Sequence, residues 1–499
     1  MTRWKFPFDA RDYEFTPYVQ AQNWIGGEWR PARSGAAEDV INPRHGKAMG
    51  KVVFSGAADV EDAFAAATAA LPAWKAMPIR ERAQVLYRVK ALMEANLDEL
   101  SWLLSHENGK TIAQARGSVL KGIECVEMGA SLQNMADGGQ LDVSRGVNCR
   151  VIHEPLGVVA GIVPFNFPTM VPLWMLPQAL VAGNTFILKP SEKVPYGAMR
   201  LAEIFQEAGL PDGVLNIVHG GKDAVETIID HEGIKAVAFV GSTPVAKMLY
   251  ARGAQTGKKV LGLGGAKNHL VVVPDASPQV TSDNIVASYT GCAGQRCMAA
   301  SVLLAVGEVD HIVEQVAQRS RELVPGKDIG AIISQESRER ILRYIDEAEA
   351  AGATILVDGR GATVPGSEGY WVGPTIIDGC TPEMACVREE IFGPVLSIIR
   401  TSTLDEALAI ENASPFGNAA CIYTTSGAVA ERALSRFEAG MCGVNIGVPV
   451  PREPFAFGGW NDSKFGHGDM TGMDGFRFWT RPRKVTVKWE LQSDQTWMS

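Results

Sequence analysis

Between residues 158 and 273, short apolar runs alternate with amphipathic stretches, and this alternation narrows the possible folds more than any other feature. The runs 158–163, 185–188, 214–218, 236–240, 258–263 and 270–273 read as strands, and 198–208, 223–231 and 245–251 read as helices between them. Strands without polar alternation are buried on both faces, so the pattern predicts a parallel sheet covered by helices. Such a sheet takes its ligands beyond the carboxyl ends of its strands. A second α/β region follows residue 297, with strands at 302–306, 354–357 and 395–399 and helices at 309–323 and 338–351. At 499 residues the chain is too long for one core, and two or more domains are expected.

The flanks add detail. Asn23 to Arg30 alternates around Gly26-Gly27 and reads as a hairpin. Residues 59–100 are helical in period, and 141–152 returns to a strand-like alternation. The terminal run 484–490 is a strand with no hairpin mate nearby; its partner is either a distant strand or a second subunit. The net charge of −9 argues against a nucleic-acid partner and offers no basic patch to a membrane. The longest apolar segment, 157–188, is broken by Pro164, Pro168, Pro172 and Pro177 before it reaches the roughly 18 residues of a spanning helix. The opening residues, Met1 to Asp12, lack an apolar signal core, and a cytoplasmic protein is expected. Eight scattered cysteines fit free thiols better than disulfides, and no second Cys or His pair stands at zinc-ligand spacing, so no metal is expected.

Several strand ends carry residues suited to chemistry. Asn166, in Val163-Pro164-Phe165-Asn166-Phe167-Pro168, can donate to a developing oxyanion, or can simply form a proline-bracketed turn. Lys189 and Glu192 can hold a ribose, or can form a solvated turn; a carboxylate there disfavours a 2′-phosphate. Ser242, after Gly241 and before Pro244, suits a helix N-cap and equally a phosphate site. No G-x-G-x-x-G follows the first strand of the sheet. Glu390 and Phe392, in Glu389-Glu390-Ile391-Phe392-Gly393-Pro394, read as a charged turn or as contacts to a ligand from the first domain. Cys297 stands in Gly294-Gln295-Arg296-Cys297-Met298. It is either a buried structural thiol or a nucleophile, with Arg296 beside it favouring a thiolate.

Together, and in this order, these segments resemble the aldehyde dehydrogenase superfamily from Trp24 to Thr486. The resemblance implies an α/β fold of two Rossmann-like parallel-sheet domains with a small β oligomerisation arm. Residues 1–137 and 154–264 would form an NAD-binding domain, 265–460 a catalytic domain, and 138–153 with 480–499 the oligomerisation strands. It implies that Cys297 attacks the aldehyde, that Asn166 and the Cys297 N–H hold the oxyanion, and that an acyl thioester remains after hydride transfer to NAD. Lys189 and Glu192 would hold the adenosine ribose, Ser242 the pyrophosphate, and Phe165, Glu390 and Phe392 the nicotinamide side. Cys292 is expected to be packing only.

One departure bears on the reaction. Hydrolytic members carry Glu-Leu-Gly-Gly-Lys, whose glutamate activates water; here Gly262-Leu263-Gly264-Gly265-Ala266-Lys267 puts Leu263 or Gly262 at that place. General-base assistance is worth ~10²–10⁴-fold, so the thioester should await a better nucleophile such as coenzyme A. Gly265-Ala266-Lys267-Asn268-His269, the Cys297 loop and Pro415-Phe416-Gly417-Asn418 resemble the CoA-acylating methylmalonate-semialdehyde dehydrogenase branch. That branch implies oxidation of malonate or methylmalonate semialdehyde to acetyl- or propanoyl-CoA with loss of CO₂, by a homotetramer or homodimer. Arg296 keeps one of its two carboxylate-binding arginines, and Lys121 replaces the other, losing the bidentate fork. A neutral or bulkier aldehyde, a hydrolytic enzyme releasing a free acid, and a silent binding protein are the alternative readings.

Overall fold

The computed structural model describes residues 18–136 and 138–489. The opening residues Met1 to Asp12, the boundary at Asp137 and residues 490–499 lie outside the described residues.

The alternating region folds into a sheet of eight strands. Their order is Glu28–Arg30, Asn23–Ile25, Leu215–Ile217, Thr185–Lys189, Val158–Ile162, Ala236–Val240, Lys259–Leu263, Lys464–Phe465. The five central strands run parallel. Both edges are antiparallel, through Trp24 opposite Ile217 and Gly262 opposite Phe465. Every residue of Val158–Ile162, Thr185–Lys189 and Ala236–Val240 is buried, as expected of strands covered on both faces. The apolar run broken by prolines contains a core helix, Met170–Val181, buried at every position. Among the described residues no helix is long and apolar enough to cross a membrane.

The second sheet has seven strands in the order Thr354–Val357, Thr375–Asp378, Val395–Thr401, Ala300–Val306, Asn268–Val272, Ala419–Tyr423, Met441–Val444. Three of these, Thr375–Asp378, Ala419–Tyr423 and Met441–Val444, are absent from the sequence reading. Only the turn 264–267 separates the last central strand of the first sheet from Asn268–Val272. That turn is pinned: Gly265 N–H donates to Thr243 Oγ1 (2.8 Å), and Ser463 Oγ donates to Gly265 O (2.8 Å). The carboxyl end of one sheet therefore leads directly into the centre of the other.

The terminal strand finds its partner within the chain. Thr480–Lys488 pairs antiparallel along all of Val147–Pro155, which also pairs with Gln140–Ser144. The run expected as one strand at 141–152 is thus a hairpin, turning at Arg145-Gly146 where Gly146 adopts φ 74°. Leu141 and Val143 stand 72% and 55% exposed on this three-stranded arm.

Candidate active site

Cys297 lies in the loop that enters the Ala300–Val306 strand, and three side-chain amides fix that loop. Asn268 Nδ2 donates to Cys297 O and to Ala299 O, each at 2.8 Å, and Asn418 Nδ2 donates to Cys297 O at 2.9 Å. Asn268 Oδ1 in turn accepts from Ala419 N–H (3.1 Å), locking its amide orientation. Gln295 donates to Ala331 O (3.2 Å) and accepts from Ile333 N–H (3.0 Å). Gly294, at φ 70°, passes so close to the neighbouring chain that a Cβ there would stand 1.9 Å from Gly393 O. Only glycine allows the cysteine loop to meet the segment carrying Glu390 and Phe392.

Asn166 comes to this loop from the carboxyl end of Val158–Ile162. One N–H of its amide donates to Gln295 O (3.0 Å), which leaves the second available. The main-chain carbonyl of Asn166 accepts from Lys110 Nζ (2.7 Å), and Asn108 Nδ2 donates to Phe165 O (2.9 Å). Burial lowers the pKa of Lys110, against the opposing pull of the Cys292 thiol. Phe165 and Phe392 meet edge to face at 5.8 Å, joining the two segments across the cleft.

Cys297 borders two spaces. On one side is a cavity of about 570 Å³ whose inner wall includes Phe167, Met170, Trp174 and Phe457. Arg296 lines this cavity too, and no carboxylate among the described residues pairs with it. Lys121 lines it as well, but its Nζ donates to Glu124 Oε2 at 2.9 Å, and the exposed Arg452 lies 4.0 Å from the same carboxylate. On the other side is a small cleft lined by Cys297, Lys267, Glu390 and Phe392. There Glu390 Oε1 accepts from Ala266 N–H (3.0 Å), and Lys267 Nζ donates to Glu389 O (2.7 Å). Burial pushes the Glu390 carboxyl up to about 7, against the pull of the Ala266 N–H and Lys267.

The electrostatics correct two expectations. Burial first, and the Glu390 charge second, push the Cys297 thiol up to about 12; Arg296 opposes this only weakly, so adjacency in sequence does not make a thiolate. Cys292, expected to be packing, is buried in the cavity wall between two cations. Burial alone would raise its thiol, but Lys110 and Arg296 outweigh it and hold it below the ordinary value. Cys292 and Ala293 both adopt left-handed backbone, at φ 52° and 53°.

The remaining predicted residues stand further along the first sheet. Lys189 is buried at the end of its strand, with Nζ 3.2 Å from Glu192 Oε2. Ser242 caps the helix Thr243–Gln255 without a side-chain bond to it, so the amides of the first turn stay open. Leu263, 3% exposed, belongs to the apolar cluster against which Cys297 packs. Lys110, Asn108, Asn268, Gln295 and Asn418 received no role from the sequence. Asn268, Gln295 and Asn418 flank strand starts, and Asn108 and Lys110 lie at the end of a helix, so their role becomes legible only once these segments are brought together.

The aldehyde dehydrogenase family model matches residues 29–485. The chain is 45% identical over 476 residues to malonate-semialdehyde dehydrogenase 2 of Geobacillus kaustophilus, covering 94% of this chain and 98% of that one. It is also 45% identical over 482 residues to malonate-semialdehyde dehydrogenase of Bacillus pumilus, covering 95% and 99%. Among solved structures it is similar to methylmalonate-semialdehyde dehydrogenase of Oceanimonas doudoroffii, with TM-score 0.94, 40% identity and coverage of 95% and 99%. A Sinorhizobium meliloti 1021 protein described as a methylmalonate-semialdehyde dehydrogenase, complexed with NAD, gives TM-score 0.94 at 38% identity, covering 96% and 100%. With its two sheets meeting at Cys297 and a match that spans nearly its whole length, this chain belongs to the aldehyde dehydrogenase family.

Proposed function

We propose that this enzyme oxidises a short semialdehyde acid of the malonate or methylmalonate type, using NAD, and passes the acyl group from Cys297 to coenzyme A with loss of CO₂. The observation that carries this reading is that Cys297 borders both the cavity lined by Arg296, which has no carboxylate partner among the described residues, and the cleft holding Glu390. A thiol in that position can meet an aldehyde from one side and a cofactor from the other. Identities of 45% to malonate-semialdehyde dehydrogenases support the substrate class.

The donor set suits NAD. Lys189 offers a cation and Glu192 an acceptor for a ribose diol, and the open amides behind Ser242 suit a pyrophosphate. Glu390, beside Phe165 and Phe392, offers an acceptor for the second ribose. When bound, NAD supplies the hydride acceptor.

The chain's own residues do the rest. Arg296 holds the substrate carboxylate, and Lys121 adds charge at the rim where Glu124 does not cancel it. Cys297 Sγ attacks the carbonyl carbon and gives up its proton to water in the cavity. The new oxyanion is received by the free N–H of Asn166 and the Cys297 N–H. After oxidation the acyl group remains on sulfur as a thioester. Leu263 and its apolar neighbours keep an activated water from the thioester, and the thiol of CoA attacks in its place. In a malonyl-type thioester the carbonyl lies β to the carboxylate and accepts the electron pair as CO₂ departs. The exposed Leu141 and Val143 on the three-stranded arm suit burial in a homodimer or homotetramer, and the reading places the enzyme in the cytoplasm.

An aldehyde panel with and without CoA, with NADH and thioester product read together, tests this. Free acid formed at the same rate without CoA would replace the acylating reading by the hydrolytic one. Preference for a neutral aldehyde would remove the semialdehyde acid.

A further inference from the structure

Cys380 and Cys386 face each other under an exposed turn at the edge of the second sheet. Their sulfurs are 3.8 Å apart, at the end of the Thr375–Asp378 strand and in the short helix Ala385–Arg388. Both are buried, while Gly379, Thr381, Pro382 and Glu383 beside them are exposed. Cys380 Sγ lies 3.5 Å from Ile377 O, and Ser397 Oγ donates to the main-chain carbonyl of Cys386 (3.0 Å), which fixes the backbone that carries the second thiol. Their hydrogen bond to each other favours the thiolate on Cys386 and the thiol on Cys380, and Lys267 adds to the former.

We propose that this pair is an oxidisable dithiol, closed to a disulfide by hydroperoxides and opened by thiols, that controls the cleft beside Glu390. In the first step the Cys386 thiolate attacks one oxygen of hydrogen peroxide. The O–O bond breaks, a sulfenic acid forms, and hydroxide leaves and takes up a proton as water. In the second step the Cys380 sulfur attacks the Cys386 sulfur, and the hydroxyl leaves with the Cys380 proton as a second water. The two thiols are oxidised by two electrons, and the peroxide is reduced to two waters. Closure asks the sulfurs to approach from 3.8 Å to about 2 Å, a small movement for a six-residue span.

The consequence follows from where the chain goes next. From Cys386 the helix Ala385–Arg388 runs directly into Glu389 and Glu390. Lys267 bonds Glu389 O, and the negative charges of Cys386 and Glu390 stand near it. Drawing Cys386 outward and removing its negative charge unbalances Lys267 and shifts the two glutamates. The effect on NAD rests on the proposed assignment of that cleft; formation of the disulfide does not.

The test is peroxide titration of the full-length enzyme, followed by tryptic mass analysis and steady-state kinetics. Both cysteines fall in one tryptic peptide, 361–388, whereas Cys297 falls in another, 297–319. The expected result is a 361–388 peptide lighter by two hydrogens, restored by a thiol reductant. The apparent KM for NAD should rise by roughly five-fold or more in the oxidised enzyme. Cys380→Ser, which keeps the negative charge on Cys386, should match the reduced wild type and lose both responses; Cys386→Ser should lose the disulfide and, with the charge beside Lys267 gone, show a raised KM for NAD before any peroxide is added. Two results overturn the proposal: peroxide inactivation with peptide 361–388 unchanged, or a disulfide in that peptide with unaltered NAD kinetics.

Discussion

Lys121 Nζ donates to Glu124 Oε2 at 2.9 Å in the wall of the cavity beside Cys297, while Arg296, lining the same cavity, has no carboxylate partner among the described residues. On the proposed assignment, a substrate carboxylate meets one cation with no carboxylate partner among the described residues, Arg296, and two that share Glu124, Lys121 and Arg452. Replacing Glu124→Gln frees Lys121. The KM for a semialdehyde acid should fall several-fold, and that for a neutral aldehyde of equal length should not change. Steady-state kinetics on the matched pair of substrates reads this directly. Arg296→Ala should raise the KM for the acid by about 10–100-fold, the usual worth of a charge-assisted hydrogen bond.

The Cys297 thiol, pushed up to about 12, predicts slow and pH-driven alkylation of the enzyme without cofactor. Labelling by iodoacetamide should climb tenfold per pH unit from pH 7 to 9 without reaching a plateau, because the thiolate fraction is still growing. Glu390, near 7, is charged over most of this range and disfavours the thiolate. Glu390→Gln should accordingly lower the thiol's pKa and speed labelling at pH 8. A plateau in the wild type near pH 8 would show a thiolate already formed.

Lys110 acts through Asn166. Its buried ammonium donates to the main-chain carbonyl of Asn166, fixing the backbone that carries the side-chain amide, and Lys110→Met leaves that oxygen unsatisfied at a cost of about 1–3 kcal/mol. The oxyanion amide then loses its fixed position. A kcat loss of roughly 10²-fold is expected, in line with the worth of an oxyanion donor, with a smaller change in substrate KM. An unchanged kcat would remove Lys110 from the positioning of Asn166.

The parts of the fold that could be read early were those with a period. The five central strands of the first sheet came from uninterrupted apolar runs, and each lies within about two residues of its expected place. Ala419–Tyr423 is an apolar run, but its two alanines and Cys421 carry little of the β-branched and aromatic character that marks a strand, and Met441–Val444 is interrupted by Gly443. The terminal strand was legible, but its mate was not, since pairing across more than three hundred residues leaves no local trace. At the site, Cys297, Asn166 and Glu390 could be named from their motifs. The high pKa of the thiol could not, because it arises from burial and from a carboxylate brought in from the second sheet.

Leu263 stands where hydrolytic relatives of the family keep a glutamate, by the alignment on Lys267. Leu263→Glu should confer aldehyde oxidation without CoA, speeding release of free acid by up to ~10²–10⁴-fold. The buried carboxylate should lower the melting temperature, so the variant is best compared at a temperature where both proteins remain folded. If the alignment on the two glycines is the right one, Leu263→Glu leaves hydrolysis unchanged and Gly262 marks the base position.

The most direct test is rapid mixing of enzyme, NAD and semialdehyde without CoA, followed by NADH absorbance. A thioester waiting on Cys297 predicts a burst of one NADH per active site and then a rate near zero, with steady turnover restored when CoA is added. Linear NADH production from the first turnover, unaffected by CoA and ending in free acid, would contradict it.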